Sequence, residues 1–262
     1  MTKSIPGTRK KQELQKPANG EPMVVINQLV KQFGKMRVID NLTMNINAGE
    51  TFGLIGPNGS GKTTLIRMLV GLILPTSGSI HIMNERIPSH RVAAYTGYMT
   101  QLSALYLDLT ALENMQFFCN VYGLRGKEQK NRIMEMLEWV DLADRVNDIV
   151  GKFSGGMKQR LSLACALVHH PSIALLDEPT VGVDPELRRT FWNYFAQLNK
   201  EGVTIIVSTH QLDEAFHCAR LGLLRNGILL AQDSPQELLR QSGTDDMEEA
   251  YLYYASRKEV QK

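Results

Sequence analysis

An octapeptide, Gly56-Pro57-Asn58-Gly59-Ser60-Gly61-Lys62-Thr63, sets the tightest limit on what this chain can fold into. It fits G-x-x-x-x-G-K-[ST], the pattern of a loop that wraps nucleotide phosphates. Its glycines let the backbone turn sharply and bring N–H groups close to an anion. In that pattern Lys62 reaches the β- and γ-phosphates and the Thr63 hydroxyl ligates Mg²⁺. The pattern carries weight only between a strand and a helix. Thr51 to Ile55 is a short apolar run suited to a buried strand. Thr64 to Leu72 has no breaker before Gly71 and spaces Leu65, Met68, Leu69 and Leu72 for a helix. That helix aims its positive end at the phosphates. An ordinary Gly-rich turn would not need both flanks.

The rest of the chain reads as α/β. Met23 to Phe33 and Leu42 to Asn47 are strand-like, and Ser79 to Met83 adds a third such run, so an antiparallel β subdomain is expected beside the nucleotide core. From about 102 to 168 the signal is helical, opening on Thr110-Ala111-Leu112-Glu113, a capping box. Beyond it, Ile173–Leu176 and Val203–Val207 are continuous apolar runs, as central parallel strands should be. Leu187, Phe191, Tyr194 and Leu198 space a helix between them, and Glu214, Phe216 and Ala219 a shorter one after. Asn226-Gly227 predicts a two-residue hairpin turn. Ser234-Pro235-Gln236-Glu237 starts a helix with Ser as cap. The expected architecture is a P-loop NTPase core with a parallel sheet, an antiparallel β subdomain and a helical insertion. The expected domains are a disordered basic leader over 1–22, an ATPase domain over 23–240 and a short helical tail over 241–262.

Ligands of parallel sheets lie at the strand C-termini. Four polar stations fall there: the phosphate loop, Gln101, Asp177-Glu178 and His210. An apolar run ending in Asp177 supplies a carboxylate for Mg²⁺, and Glu178 can polarise an attacking water.

Charge narrows the partners. Net charge is +2, and residues 1–20 hold five basic residues against Glu13, which leaves 24 basic and 26 acidic residues in the body. A body this balanced gives no global field for nucleic acid. The leader lacks an apolar segment, so it is no secretory signal; it reads as a tail, either solvated or lying on anionic lipid. No stretch approaches the roughly 20 apolar residues that span a bilayer. Cys119, Cys165 and Cys218 form no C-x-x-C pair and read as buried, idle thiols in a reducing compartment.

One further segment, Phe153-Ser154-Gly155-Gly156-Met157-Lys158-Gln159-Arg160, makes a second anion site at a helix N-terminus. With the four stations, it resembles the ATP-binding subunits of ABC transporters over about residues 23–240. The resemblance implies that Gly56 to Thr64, with Phe33 stacked on adenine, bind ATP. It makes Glu178, His210, Lys62 and Gln101 the catalytic set, and Thr63, Gln101 and Asp177 the Mg²⁺ set. It implies that Ser154, Gly155 and Gly156 cap the ATP of a second cassette, paired head to tail, with a homodimer favoured. It also implies a separately encoded transmembrane permease, and a peripheral place on the cytoplasmic face of the membrane. The chain departs from the family pattern at Phe153 (usually Leu), Met157 (usually Gln) and Val181 (usually Ser or Ala, within Val181–Asp184). Phe33 lacks a Tyr hydroxyl but keeps the stacking face.

Tyr98-Met99-Thr100-Gln101, Leu105-Tyr106 and Leu109-Thr110-x-x-Glu113-Asn114 are similar to the exporter branch that handles drugs, lipids and polysaccharides. The alternative is a soluble cassette ATPase acting on ribosomes or DNA, but such relatives carry tandem cassettes or coiled-coil insertions. A GTPase would want Asn-Lys-x-Asp, and Asn199-Lys200-Glu201-Gly202 lacks the Asp.

Overall fold

The computed structural model describes residues 14–100 and 104–259. Gln101 therefore lies outside the described residues, as do residues 1–13 of the expected leader. Residues 14–21 lie against the body: Gly20 N–H donates to Ala48 O at 3.1 Å, and Ala48 N–H to Glu21 O at 2.7 Å. The first strand opens at Pro22. For this stretch the expected disorder gives way to backbone pairing, because the edge groups of Ala48 need partners.

Two sheets organise the chain. β1 (Pro22–Phe33), β2 (Met36–Asn47), β4 (Ser77–Ile82) and β5 (Glu85–Arg86) form an antiparallel sheet in the order β2-β1-β4-β5. The larger sheet runs β10-β9-β3-β8-β7-β6. Its strands are β3 (Thr51–Ile55), β6 (Thr96–Met99), β7 (Ile173–Asp177), β8 (Thr204–Thr209), β9 (Arg220–Arg225) and β10 (Ile228–Asp233). All pairings in it are parallel except β10 on β9.

The continuous apolar runs are explained by cover on both faces. Ile173, Leu175 and Ile206 pack into a core shared with Phe52, Leu54 and the antiparallel sheet, while Ala174, Leu176, Ile205 and Val207 face a second core. Helix α1 (Lys62–Val70) buries Leu65, Ile66, Met68 and Leu69 in the first core, and α2 (His90–Ala93) adds Val92 to it. The second core is built with α3 (Ala111–Val121), α4 (Gly126–Trp139), α5 (Gly155–Leu167) and α6 (Pro185–Lys200), and α7 (Pro235–Ser242) and α8 (Met247–Glu259) close it. Each fully buried Leu, Ile or Phe contributes roughly 1.5–3 kcal/mol, so burial on both faces holds the sheet between the two cores.

Local chemistry sets the helix boundaries. Thr110 and Glu113 form the expected capping box of α3, and Ser234 caps α7 ahead of Pro235. In α5 the periodicity points to one apolar face, but every residue from Leu161 to Leu167 is buried. The reason is its position: its C-terminal half covers β6 so closely that a Cβ on Gly97 would lie 2.4 Å from Ala166 O. The short helix expected around Glu214 is a 3₁₀ turn, Leu212–His217, and Ala219 leaves it to donate to Thr51 O at 2.8 Å.

Candidate functional site

The phosphate-loop residues lie between β3 and α1, as their flanks predict. Gly61 stands at the helix N-terminus with φ 106°, a conformation that favours glycine strongly. Gly56 passes so near β9 that a Cβ would sit 2.2 Å from Leu224 O. The loop is thus pressed onto the sheet at one end and left-handed at the other. Its centre, Pro57 to Gly59, is exposed.

Lys62 is only 5% exposed, and its ammonium donates to Gly56 O at 2.7 Å and Pro57 O at 3.1 Å. Burial pushes its pKa below the ordinary lysine value, and the nearby Glu178 and Asp177 carboxylates oppose that shift. A lysine held by carbonyls among the described residues has exchangeable partners, and phosphate oxygens are stronger ones.

The carboxylates come from the end of β7. Asp177 is fully buried; its Oδ1 accepts from Ser208 Oγ, while its Oδ2 has no hydrogen-bond partner among the described residues. A buried carboxylate oxygen without a donor is costly unless something positive meets it. Thr63, in the first turn of α1, carries a second hard oxygen donor. These residues fit Mg²⁺, which keeps its own waters and takes one or two protein oxygens beside phosphate.

Glu178 follows with φ 53°. Its N–H donates to Ser208 O at 3.2 Å and to Ser208 Oγ at 3.1 Å. Its Oε1 lies 3.2 Å from His210 Nδ1, one residue past β8. The φ turns the Glu178 side chain away from the Asp177 direction, so adjacent carboxylates serve different places. Register explains the meeting: β7 and β8 are adjacent and pair Asp177 with Ser208.

A cleft of about 660 Å³ gathers the predicted binding residues Phe33, Asn58, Gly59, Gly61, Lys62, Thr63, Thr64 and Glu178. Phe33 keeps 45% of its surface exposed, with the Lys31 ammonium 4.6 Å from the ring centroid. The same cleft is lined by Met36, Arg37, Val38 and Asn226, which sequence reasoning did not single out. The hairpin at Asn226-Gly227 was legible, with φ 50° and 76°, but not its landing place. Gly227 O accepts from Asp40 N–H at 2.9 Å, bringing the tip under β2. Ser208 was also missed; its only signal is a hydroxyl at the end of an apolar run.

Ser154, Gly155 and Gly156 stand apart from this cleft, and none of them lines it. Ser154 Oγ accepts from Met157 N–H at 3.2 Å and caps α5, with Ser154 and Gly155 exposed. The helix N-terminus is therefore open to solvent at Ser154 and Gly155.

A family model described as ABC transporter matches residues 39–181. The chain is 41% identical over 240 residues to the probable multidrug ABC transporter ATP-binding protein YbhF of Escherichia coli, covering 89% of this chain and 42% of that protein. It thus spans less than half the length of that relative. It is 38% identical over 226 residues to the linearmycin resistance ATP-binding protein LnrL of Bacillus subtilis, covering 85% and 73% of the two chains. Among solved structures, a dimeric post-hydrolysis state of the ATP-binding cassette MJ0796, bound to ADP and Pi, superposes with TM-score 0.75 at 28% identity, covering 81% and 98%.

Proposed function

This chain belongs to the ABC transporter family, and we propose that within it the chain is an ATP-binding, ATP-hydrolysing subunit that energises an exporter by pairing head to tail around ATP. The observation that carries the reading is the separation within one chain of two anion sites. The cleft holds Lys62, Thr63 and Glu178, while Ser154-Gly155-Gly156 does not line it and stays open at Ser154 and Gly155. A second copy, turned end for end, sets its own Ser154–Gly156 helix end against the open side of the cleft. Each site is then built from both chains.

In that assembly adenine stacks on Phe33 and the phosphates lie along Gly56 to Thr64. Lys62 exchanges its carbonyl partners for phosphate oxygens. Thr63 and Asp177 would hold Mg²⁺, which would supply charge neutralisation on the phosphates. Glu178 orients and deprotonates the attacking water, and His210, bonded to its carboxylate, fixes where that carboxylate points. The family resemblance assigns Gln101, which lies outside the described residues, to the Mg²⁺ and γ-phosphate contacts.

No described helix is long and apolar enough to cross a membrane. The family resemblance supports a separate permease as the pore, with this chain peripheral on the cytoplasmic face. Export is supported by the exporter-like run from Tyr98 to Asn114 and by the drug-related names of YbhF and LnrL. Action on ribosomes or DNA has no such support.

Glu178→Gln tests the reading. It keeps the fold and the ATP contacts but removes the base, so turnover should fall about 10²- to 10⁴-fold. An ATP-dependent dimer should then accumulate on size-exclusion chromatography. Ordinary turnover in that variant would remove Glu178 from its role.

A further inference from the structure

The helix that carries Ser154–Gly156 also touches the hydrolytic turn, through Gln159. Gln159 lies one turn beyond Gly156, on the same face of α5, and its Nε2 donates to Glu178 O at 2.9 Å. The same carbonyl accepts from Val181 N–H at 3.4 Å. The peptide on the other side of Glu178 is held by Ser208, as described above. Glu178 itself sits at φ 53°, a left-handed conformation that a non-glycine residue keeps only when its surroundings hold it there. Gly156 reinforces the contact: a Cβ there would lie 2.9 Å from Gly182 O. One face of α5 is therefore locked onto the 178–182 turn, while its N-terminal end is open to a partner.

We propose that Gln159 is a positioning residue that holds the Glu178 backbone in place and couples the Ser154–Gly156 end of a chain to that same chain's hydrolytic carboxylate. The inference rests on the head-to-tail reading above. In that dimer Ser154–Gly156 answers to one ATP and Glu178 to the other, so a bond between them inside one chain joins the two sites. Closure of a partner's nucleotide on the end of α5 steadies the helix. Gln159 passes that constraint to Glu178 O, and the Oε1 contact with His210 depends on where that backbone stands. Chemistry selects the residue: the carbonyl needs an N–H donor about three or four side-chain carbons away. Met matches the length without a donor, and Glu sets a carboxylate against a carbonyl.

The test uses the full chain, with steady-state ATP hydrolysis, fluorescent-nucleotide affinity in EDTA and melting temperature measured on each variant. Gln159→Met should lower kcat about five- to tenfold, the effect of one lost hydrogen bond on the transition state. Nucleotide affinity should stay within twofold, because no cleft contact is removed. Gln159→Glu, of the same size, should show the same fall at an unchanged melting temperature, and Gln159→Lys, which restores an N–H, should recover at least half of the parent rate. In a Glu178→Asp background the loss from Gln159→Met should shrink below twofold, since a carboxylate already displaced has little left to lose. The proposal is overturned by a kcat within twofold of the parent, by an affinity loss equal to the kcat loss, by a Gln159→Lys variant as slow as Gln159→Met, or by an undiminished loss in the Glu178→Asp background. A parent chain that hydrolyses no ATP would sink the hydrolytic reading and this proposal together. An active parent with an unaffected Gln159→Met sinks only the role of Gln159.

Discussion

Arg132 of α4 is the side chain whose loss the structure allows to be worked out most fully. It is 4% exposed, and its guanidinium closes the C-terminal end of α5. Nε donates to Val168 O at 3.1 Å, and Nη2 donates to Leu167 O at 3.0 Å and to the Tyr194 hydroxyl at 3.3 Å. Nη1 meets Glu135 at 2.7 Å, but that carboxylate is 58% exposed. Arg132→Met keeps the apolar stem and removes the donors. Leu167 O retains His170 N–H at 3.3 Å, and Tyr194 retains Met136 Sδ at 3.5 Å. Val168 O loses its donor, which costs about 1–3 kcal/mol.

Charge-assisted bonds are worth more than neutral ones, but removing the guanidinium also removes its desolvation cost, and the two partly offset. The net expectation is about 2–4 kcal/mol. For a chain near this size each kcal/mol shifts the melting temperature by roughly 2–4 °C, so Arg132→Met should melt roughly 5–15 °C lower by differential scanning calorimetry. Glu135→Gln breaks only the exposed ion pair, worth under about 1 kcal/mol, and should move the melting point by no more than about 2 °C. Equal shifts in the two variants would refute the reasoning, because the ion pair rather than the carbonyl cap would then be what matters. So would an Arg132→Met shift under about 2 °C.

Two other perturbations follow from the site and its surroundings. Asp177→Asn leaves the Ser208 contact possible but discharges the oxygen without a partner; Mg²⁺-dependent turnover should fall roughly a hundredfold, while nucleotide binding in EDTA changes little. Equal turnover at saturating Mg²⁺ would show that Asp177 holds no metal. His169, stacked on Tyr122 at 3.4 Å, has its pKa pushed down to about 4 by burial first, with the Thr96 backbone opposing the shift and His170 and Arg132 adding to it. The folded value lies below the unfolded 6.5, so the unfolded chain binds the proton first, and stability present above pH 6.5 is lost as pH falls toward 4. The loss reaches about 3 kcal/mol. Urea midpoints at pH 7 and 4.5 should diverge less in His169→Phe than in the parent; identical pH slopes would rule the residue out as the source.

Much of the site was legible in the linear chain because its signals are local. Gly56–Thr63 needs only a turn, a strand before it and a helix after it, and β3 and α1 are where their flanks place them. The capping box at Thr110 and Glu113 and the turn at Asn226-Gly227 are likewise decided by neighbours two or three residues apart. Apolar runs ending in Asp177 and Thr209 marked the strand ends that carry function.

What the tertiary structure alone decided is which of these ends meet. The strands run β3, β6, β7, β8, β9 along the chain but lie in the order β9-β3-β8-β7-β6 in space. Ser208 therefore falls beside Asp177, and His210 beside Glu178, though about thirty residues separate each pair. The hairpin tip at Asn226 reaches the cleft only because β9 packs on β3 and delivers it under β2. Gln159 meets Glu178 only because α5 crosses the end of β7. Periodicity and turn chemistry are properties of short windows, whereas these contacts depend on sheet order and on where helices dock. Burial against distant segments sets both, so the phosphate loop could be read from eight residues while the company it keeps could not.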